Sequence, residues 1–463
     1  MPSTEFGATA PLTYRILRGI LRLGVRVFYR HPGVGGAGKF PDTGPVLLVL
    51  NHPNALIDPF MAMLHISRPV YLTATASLLK RPGLGWMMRA GGVIPLYRKV
   101  DFPAMGDRKG NMQSLDEVRN RLAAGGVVCI FPEGVSHDSP AVKPLKSGVA
   151  RVALEYHDTD GNPGGLRIVP AGLFYEEKDR LRSTAWMRVG DPIDIGAWRG
   201  ANPGASAADL TKEINSRLRS VTLNYRSHSE DLLMRWASLV MAAGAGDAGT
   251  DLRDRDFTGR LVELMEALYS GYSRLRRERV RELAAIGRRL HAFNSGLRKA
   301  GLAVTDVFSP LGLRGAGWFL ARESAILLAG LVPALWGILN NIIPYHLVRR
   351  IAVRPAGKDE RASLAVFWSF GFFPAVYLVQ TALVALATRS WWLAAAYLAT
   401  VPFAGSLALR YRDRAGNSLQ RMRGTVYFLR HPAEHNRLAA EGRGIASAIV
   451  HLGDVLEAGK TAR

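Results

Sequence analysis

The chain has 463 residues, 48% hydrophobic and 21% charged, which supplies cores for two or three structural units and excludes disorder as its main state. Its 60 Lys and Arg against 38 Asp and Glu give a formal charge of +22, a balance that attracts polyanions, either nucleic acid or an anionic bilayer. The basic residues sit on or beside apolar helices, and no nucleic-acid-reading motif with interleaved aromatics occurs, so a lipid bilayer is the expected partner and nucleic acid is not. The only cysteine, Cys129, cannot close an intrachain disulfide, which fits the reducing cytosol; within Val127-Val128-Cys129-Ile130-Phe131 it reads as a small core residue.

No secretory signal is expected from the first residues of the sequence, which show no apolar core with a small-residue cleavage site. Between residues 12 and 30, Arg15, Arg18, Arg22, Arg26 and Arg30 fall on one helical face about 120° wide, with Ile16, Leu17, Ile20, Leu23, Val27 and Phe28 over much of the remainder. Such a helix either lies in the headgroup plane with its arginines toward phosphates, or packs on the domain behind it.

Residues 40–200 alternate short apolar runs with helix-compatible stretches. The runs 45–50, 70–74, 92–96, 127–131, 168–174 and 186–189 are rich in Val, Ile and Leu and bounded by Gly or Pro, whereas 59–66 and 110–124 carry helical periodicity. This predicts an α/β domain with a mixed, largely parallel sheet, flanking helices and a site at strand ends. Pro170 lacks an N–H and predicts an edge or bulge position for its strand.

Helices are expected at 207–222, 228–243, 257–275 and 277–300, the last part strongly basic. Three stretches then lack Asp, Glu, Lys and Arg: 324–348, 363–388 and 390–409, each of spanning length. The first carries Pro333, Asn340-Asn341 and Pro344, which need other protein to satisfy them in lipid. Three crossings would also carry Arg349, Arg350, Arg354, Lys358 and Arg361 away from the N-terminal domain, against the positive-inside tendency. The expected organisation is therefore 1–39, a basic amphipathic interface helix; 40–205, the α/β domain; and 206–320, a basic helical region. A membrane region follows at 321–411, with a re-entrant segment 324–348 and a C-terminal hairpin of transmembrane helices 363–388 and 390–409, and 412–463 is a cytoplasmic helical tail.

The chemistry-bearing residues cluster at strand ends. After the run 46–50 comes Asn51-His52-Pro53-Asn54-Ala55-Leu56-Ile57-Asp58-Pro59. On a continuous helix His52 and Asp58 would stand about 240° apart, so only a turn brings them together. An imidazole suits proton transfer near neutral pH, and a carboxylate on its other nitrogen fixes the tautomer. The plainer reading is a loop histidine and a helix-capping aspartate. Arg98-Lys99 ends the next strand as a phosphate-binding or surface pair, and Phe131-Pro132-Glu133-Gly134 places a carboxylate after the strand 127–130. Lys143, Lys146, Ser147 and Gly148 follow, then Ile168-Val169-Pro170-Ala171-Gly172.

These four blocks, in this order and spacing, resemble the glycerolipid acyltransferases, which include glycerol-3-phosphate and 1-acylglycerol-3-phosphate (lysophosphatidate) acyltransferases. The resemblance covers roughly residues 40–200. It implies an O-acyltransferase docked on a membrane by basic or apolar helices, with Asn51-His52 and Asp58 as its His-Asp motif, His52 as base and Asp58 as orienter. It also implies acceptor or phosphate contact from Arg98, Glu133, Gly134 and the adjoining Asn51 and Lys99, with Pro170 in the fourth block. Backbone N–H groups near Gly134 or Gly148 would hold the oxyanion.

Two departures stand out. Five residues rather than four separate His52 from Asp58, and Gly134-Val135-Ser136-His137 replaces Gly-Thr-Arg-Ser, so Lys143 and Lys146 become candidates for the missing arginine. His137 reads as an exposed loop residue. The expected donor is acyl-CoA or acyl-carrier protein, and the acceptor lysophosphatidate, then glycerol-3-phosphate, then another lysolipid. No cofactor or metal is expected, and the catalytic domain is expected on the cytoplasmic face of the inner (plasma) membrane. The rival reading is a non-catalytic module that binds anionic lipid.

Overall fold

The computed structural model describes residues 10–30, 32–80, 84–97, 107–159, 161, 164–244, 255–308, 313–354 and 356–461. Met1–Asn224 with Ala356–Val366 make one compact unit, and Tyr225–Pro355 with Phe367–Arg463 make another.

The first unit starts with α1 (Leu12–Phe28), β1 (Gly33–Gly35), β2 (Val46–Leu50), α2 (Ile57–His65) and β3 (Val70–Thr75). Next come α3 (Leu84–Ala90), β4 (Ile94–Leu96), α4 (Asp107–Ala123), β5 (Val127–Ile130) and α5 (Gly148–Asp158). It continues through β6 (Arg167–Tyr175), β7 (Ala185–Val189), β8 (Ile193–Asp194), α6 (Ile195–Ala201) and α7 (Ala207–Ser220). The strand order is β1-β7-β6-β2-β5-β3-β4, with β8 also on β6. Five pairings are parallel and two antiparallel, those of β6 with β7 and β8, so the sheet is mixed and largely parallel as expected.

Every residue of β2 and β5 is buried. Continuous runs such as Val46-Leu47-Leu48-Val49-Leu50 are what a strand needs when both faces are covered. One face packs Leu47, Val49, Val128 and Ile130 against Val118, Leu122, Val149, Val152 and Leu218 of α4, α5 and α7.

The arginine face of α1 divides between two environments. Arg18 donates to the carbonyls of Met63 (2.9 Å), Ile66 and Ser67 (3.1 Å), and Arg22 to Met63 (3.3 Å), closing off the unsatisfied end of α2. Tyr14, Leu21, Val25 and Phe28 are buried on that side. The opposite side presents Leu12, Ile16, Ile20 and Leu23, which are 41–68% exposed, with Arg15 and Arg26 also exposed. The helix packs on its domain and keeps an exposed apolar stripe, Leu12, Ile16, Ile20 and Leu23, on its other side.

Two short strands, β1 and β8, were not foreseen, and the sheet therefore begins at Gly33 rather than after residue 40. Pro170 corrects a second expectation. It lies in the central strand β6, opposite Val49 of β2, and not at a sheet edge. Its missing N–H falls where the other neighbour changes, between Ala171↔Val189 with β7 and Ile168↔Ile193 with β8. A proline is tolerated at such a break in the ladder.

The second unit is helical: α8 (His228–Gly244), α9 (Arg255–Glu278), α10 (Val280–Lys299), α11 (Val304–Val307), α12 (Leu313–Val348), most of α13 (Lys358–Thr388), α14 (Trp391–Arg430) and α15 (Pro432–Thr461). Its globular core joins Val240, Leu290, Phe293, Leu297, Val307, Phe428 and Ile445. Among the described residues three helices are long and apolar enough to cross a membrane: Gly315–Val353, Lys358–Thr388 and Trp391–Arg430. The stretch 324–348 lies in the single unbroken helix α12, which a π-helical turn, Arg349–Val353, extends.

The polar residues of α12 have protein partners. Asn340 accepts from the Tyr397 hydroxyl (2.5 Å) and Asn341 from that of Tyr377 (2.5 Å), while the Gln380 amide donates to the Asn340 carbonyl (3.0 Å). Glycines bring α12 and α14 close enough: a Cβ on Gly337 would lie 2.1 Å from the Ala404 carbonyl, and one on Gly405 2.9 Å from the Asn341 amide.

Gly172 tests the α/β packing. A Cβ there would stand 1.8 Å from the Val221 carbonyl oxygen. Gly172→Ala should destabilise this unit by about 2 kcal/mol, seen as a lower thermal midpoint in detergent, whereas Gly200→Ala, whose Cβ would meet nothing within 4 Å, should not.

Candidate active site

The site follows from strand order. In a parallel sheet the carboxyl ends of neighbouring strands face the same edge, and loops leaving them converge. β2 lies between β5 and β6, so the segment after Leu50 meets the segment after Ile130 and the end of β6.

Residues 52–56 form a tight turn that leads into α2, whose first turn carries Asp58. His52 Nδ1 stands 2.8 Å from Asp58 Oδ2, and the same oxygen accepts the Asn54 N–H at 2.7 Å. The other oxygen of Asp58 accepts the Tyr175 hydroxyl at 2.7 Å. Asp58 is fully buried, while 19% of the His52 side chain is exposed. The carboxylate assigns the ring proton to Nδ1, which leaves Nε2 as the free basic nitrogen. The ring also stacks on Phe131, centroids 4.1 Å apart and planes 21° from parallel, so its tilt is fixed as well as its tautomer.

Closing this turn over five residues costs backbone strain: Ala55 has φ +38°, a region that side chains with a Cβ rarely adopt. Neighbours hold it there. The Lys178 ammonium donates to the Pro53 carbonyl (2.7 Å) and the His137 carbonyl (3.2 Å) and pairs with Asp138 (2.9 Å). The Asn54 amide donates to the Tyr29 hydroxyl (2.7 Å), which donates to the Lys178 carbonyl (2.6 Å). Burial, and then the negative charge of Asp58, push the Tyr175 hydroxyl well above the ordinary tyrosine range, so it stays a proton donor to the carboxylate.

The third block is a support for the first. Glu133 is buried and both its oxygens are engaged: Oε1 accepts the His52 N–H (2.8 Å), and Oε2 meets His137 Nε2 (2.5 Å) and the Lys143 N–H (2.6 Å). The acceptor contact expected of Glu133 meets a carboxylate already committed to the loop. His137, expected on an exposed loop, is instead 8% exposed and tied to that carboxylate. Sequence spacing gave no sign that an acidic partner four residues away would draw it inward.

The other expected residues fall as follows. Asn51 uses both ends of its amide on the Leu173 backbone, donating to its carbonyl (3.1 Å) and accepting its N–H (2.7 Å), which extends the β2–β6 ladder by a side chain. Gly134 has φ +75°, and a Cβ there would lie 2.5 Å from Lys146 Nζ, so the lysine chain crosses it closely. The Gly134 N–H donates to the Phe131 carbonyl (3.0 Å) within its own turn and is not offered to an oxyanion. Lys143 and Lys146 are exposed, and only Lys146 is placed against Gly134. Arg98 and Lys99 lie outside the described residues.

His52 and Gly134 line a cavity of about 460 Å³. Its walls are mainly hydrocarbon: Leu17 and Leu21 from α1, Phe60 and Met63 from α2, Leu72 from β3, Met87 and Met88 from α3, Val93 and Leu96 near β4, and Leu364 from α13. The sequence reading missed Tyr29, Tyr175, Lys178 and the residues of α13. Tyr175 lies on the same strand as the fourth block, a proximity that could have pointed to it; no local pattern links residues near 360 to residue 52.

Residues 31–173 match the Acyltransferase family. Glycerol-3-phosphate O-acyltransferase 2 of Saccharomyces cerevisiae is 31% identical over 170 residues, 36% of this chain and 22% of that protein. Glycerol-3-phosphate O-acyltransferase 1 of the same yeast is 23% identical over an alignment covering 97% of this chain and 72% of that protein. A 1-acyl-sn-glycerol-3-phosphate acyltransferase of Chlamydomonas reinhardtii is 27% identical over 146 residues, 32% of this chain and 39% of that protein. The first and third relatives are thus matched over less than half of their own length.

The geometry separates support from chemistry. Glu133→Ala leaves three N–H groups without their acceptor and should destabilise the α/β unit by on the order of 3 kcal/mol, measured by thermal unfolding in detergent. His52→Ala, which removes a partly exposed ring, should cost no more than about 1 kcal/mol in the same measurement.

Proposed function

Because its α/β unit belongs to the glycerolipid acyltransferase family, we propose that the chain moves a fatty acyl group from a thioester to a hydroxyl of a glycerol phosphate acceptor. One observation carries the reading: an imidazole held 2.8 Å from a buried carboxylate lies on the wall of an apolar cavity of about 460 Å³. Fatty acyl transfer needs a base for one proton and a place for a hydrocarbon chain, and the two adjoin at His52.

In this mechanism His52 Nε2 takes the acceptor hydroxyl proton as the oxygen attacks the thioester carbonyl. The C–S bond then breaks, and the imidazolium returns the proton to the departing thiolate, so ester and thiol form with no net proton change. Asp58 keeps Nδ1 protonated and stabilises the transient imidazolium, while Tyr175 satisfies the other carboxylate oxygen. The cavity takes the acyl chain of an acyl-CoA or acyl-carrier-protein donor. Lys146, crossing Gly134 on the cavity wall, is the described cation best placed for the acceptor phosphate, with Arg98 and Lys99 expected to share it. Glycerol-3-phosphate becomes the first acceptor and lysophosphatidate the second, because the relative that aligns with 97% of this chain carries the former in its name.

We infer the sidedness from chain continuity. Between residues 225 and 312 the sequence holds no uncharged apolar run of spanning length, so α12 starts on the face where the α/β unit resides. Ala356–Val366, the start of α13, packs within that same unit. We propose that α12, although one unbroken helix of spanning length, keeps both its ends on that face, the arrangement that the basic segment 349–361 requires if it is cytoplasmic. α13 and α14 form the hairpin, and the basic segments 349–361 and 410–423 stay cytoplasmic.

His52→Ala should lower kcat for acyl transfer by ~10²–10⁴ while the protein remains folded and membrane-bound. The assay offers glycerol-3-phosphate and lysophosphatidate with acyl-CoA and acyl-carrier protein; a wild-type chain that binds anionic vesicles and transfers to neither acceptor supports the non-catalytic module instead. Topology is read with a membrane-impermeant maleimide on intact cells, since the only native thiol, Cys129, is buried. Arg389→Cys should label from outside, and Arg354→Cys only after permeabilisation.

A further inference from the structure

The segment Ala356–Val366 is more than 130 residues downstream of the rest of its unit, yet it packs there. Three side chains anchor it. Asp359 Oδ2 accepts the Ser136 hydroxyl at 2.7 Å, Arg361 pairs with Asp179 at 3.0 Å, and Ser363, 1% exposed, reaches the turn that carries His52 and Asp58. There its Oγ accepts the Ile57 N–H (3.2 Å) and donates to the Asn54 carbonyl (3.3 Å). The Ile57 N–H also bonds that same Asn54 carbonyl at 2.9 Å, across the strained Ala55. Ser363 thus clamps both sides of the one residue in the turn with positive φ, next to the residue that precedes Asp58. Glu360, Ser363 and Leu364 line the cavity that His52 lines.

Two of these anchors, Ser363 and Asp359, meet the two segments in which the sequence departs from the pattern of the family it resembles. The turn of 52–58 has one residue more than usual, and Ser136 belongs to Gly134-Val135-Ser136-His137. A longer turn has more backbone freedom to lose, and a clamp across its strained residue restricts it.

We propose that the first turns of α13 are a working part of the acyl-transfer site, with Ser363 as a positioning residue for the His52–Asp58 turn and Leu364 as a determinant of acyl-chain length. This rests on the acyl-transfer reading above. Ser363 acts through the turn: it fixes the peptides on either side of Ala55, and these carry Asn54, whose N–H binds Asp58, and Asp58 itself. Leu364 acts directly, because its side chain bounds the space open to a hydrocarbon chain.

The test uses the full-length chain in detergent with its acceptor and a series of acyl thioesters from octanoyl to oleoyl. Leu364→Trp should shift the ratio of kcat/KM toward shorter chains by at least about fivefold, and Leu364→Ala toward longer ones. Ser363→Ala should lower kcat between about tenfold and a hundredfold with KM for either substrate changed less than about twofold, and Ser363→Thr, which keeps the hydroxyl, should recover most of the loss. An active wild type whose chain-length profile ignores both Leu364 variants, or whose kcat is unchanged in Ser363→Ala, overturns the proposal. A Ser363→Ala protein that has lost its fold leaves the Leu364 pair to decide. A wild type with no acyl transfer at all fails the functional reading instead, so the two failures are distinct.

Discussion

The candidate site depends on one constraint: an imidazole must be held by a carboxylate that has no access to water. Asp58 has none, and each of its oxygens is occupied by protein donors: His52 and Asn54 on one, Tyr175 on the other. A buried carboxylate so satisfied has little freedom to turn away, and the ring it holds cannot change tautomer without losing the bond. The cost appears in the backbone, as the positive φ of Ala55, and it is sustained by interactions from four other parts of the unit: Tyr29, Glu133, Lys178 and Ser363.

The parallel sheet makes this arrangement possible. β2, β5 and β6 release their chains at one edge, so His52, Glu133 and Tyr175, far apart in sequence, come within hydrogen-bond range of the same turn. Chemistry and support are divided among the strands: the segment after β2 carries the base, the segment after β5 carries the buried glutamate beneath it, and β6 supplies the tyrosine. The apolar cavity fills the remainder of that edge, walled by α1, α2 and α3.

The sheet was legible in sequence because fully buried parallel strands must be continuously apolar, and 45–50, 127–131 and 168–174 are. β1 and β8, three and two residues long, carry too few side chains to leave a pattern. Pro170 misled because the rule for proline treats a strand as paired equally along its length, whereas β6 changes partners at that residue. The His52–Asp58 turn was legible as a motif; the meaning of Glu133 was not, since a carboxylate at a strand end looks the same in sequence whether it faces substrate or supports the loop. The part played by Ser363 depends on tertiary folding over more than 300 residues, a distance at which spacing carries no information.

The way α1 is seated has a bearing on how this chain meets a bilayer. Two of its four arginines are spent on carbonyl groups at the end of α2, and the face turned outward is Leu12, Ile16, Ile20 and Leu23. Attachment through such a surface is governed by hydrocarbon transfer, which is insensitive to ionic strength, more than by attraction to acidic headgroups, which salt weakens. Because Leu17 and Leu21 of the same helix also wall the cavity, a helix pressed against lipid sits between the reservoir of acyl chains and the space that would receive one.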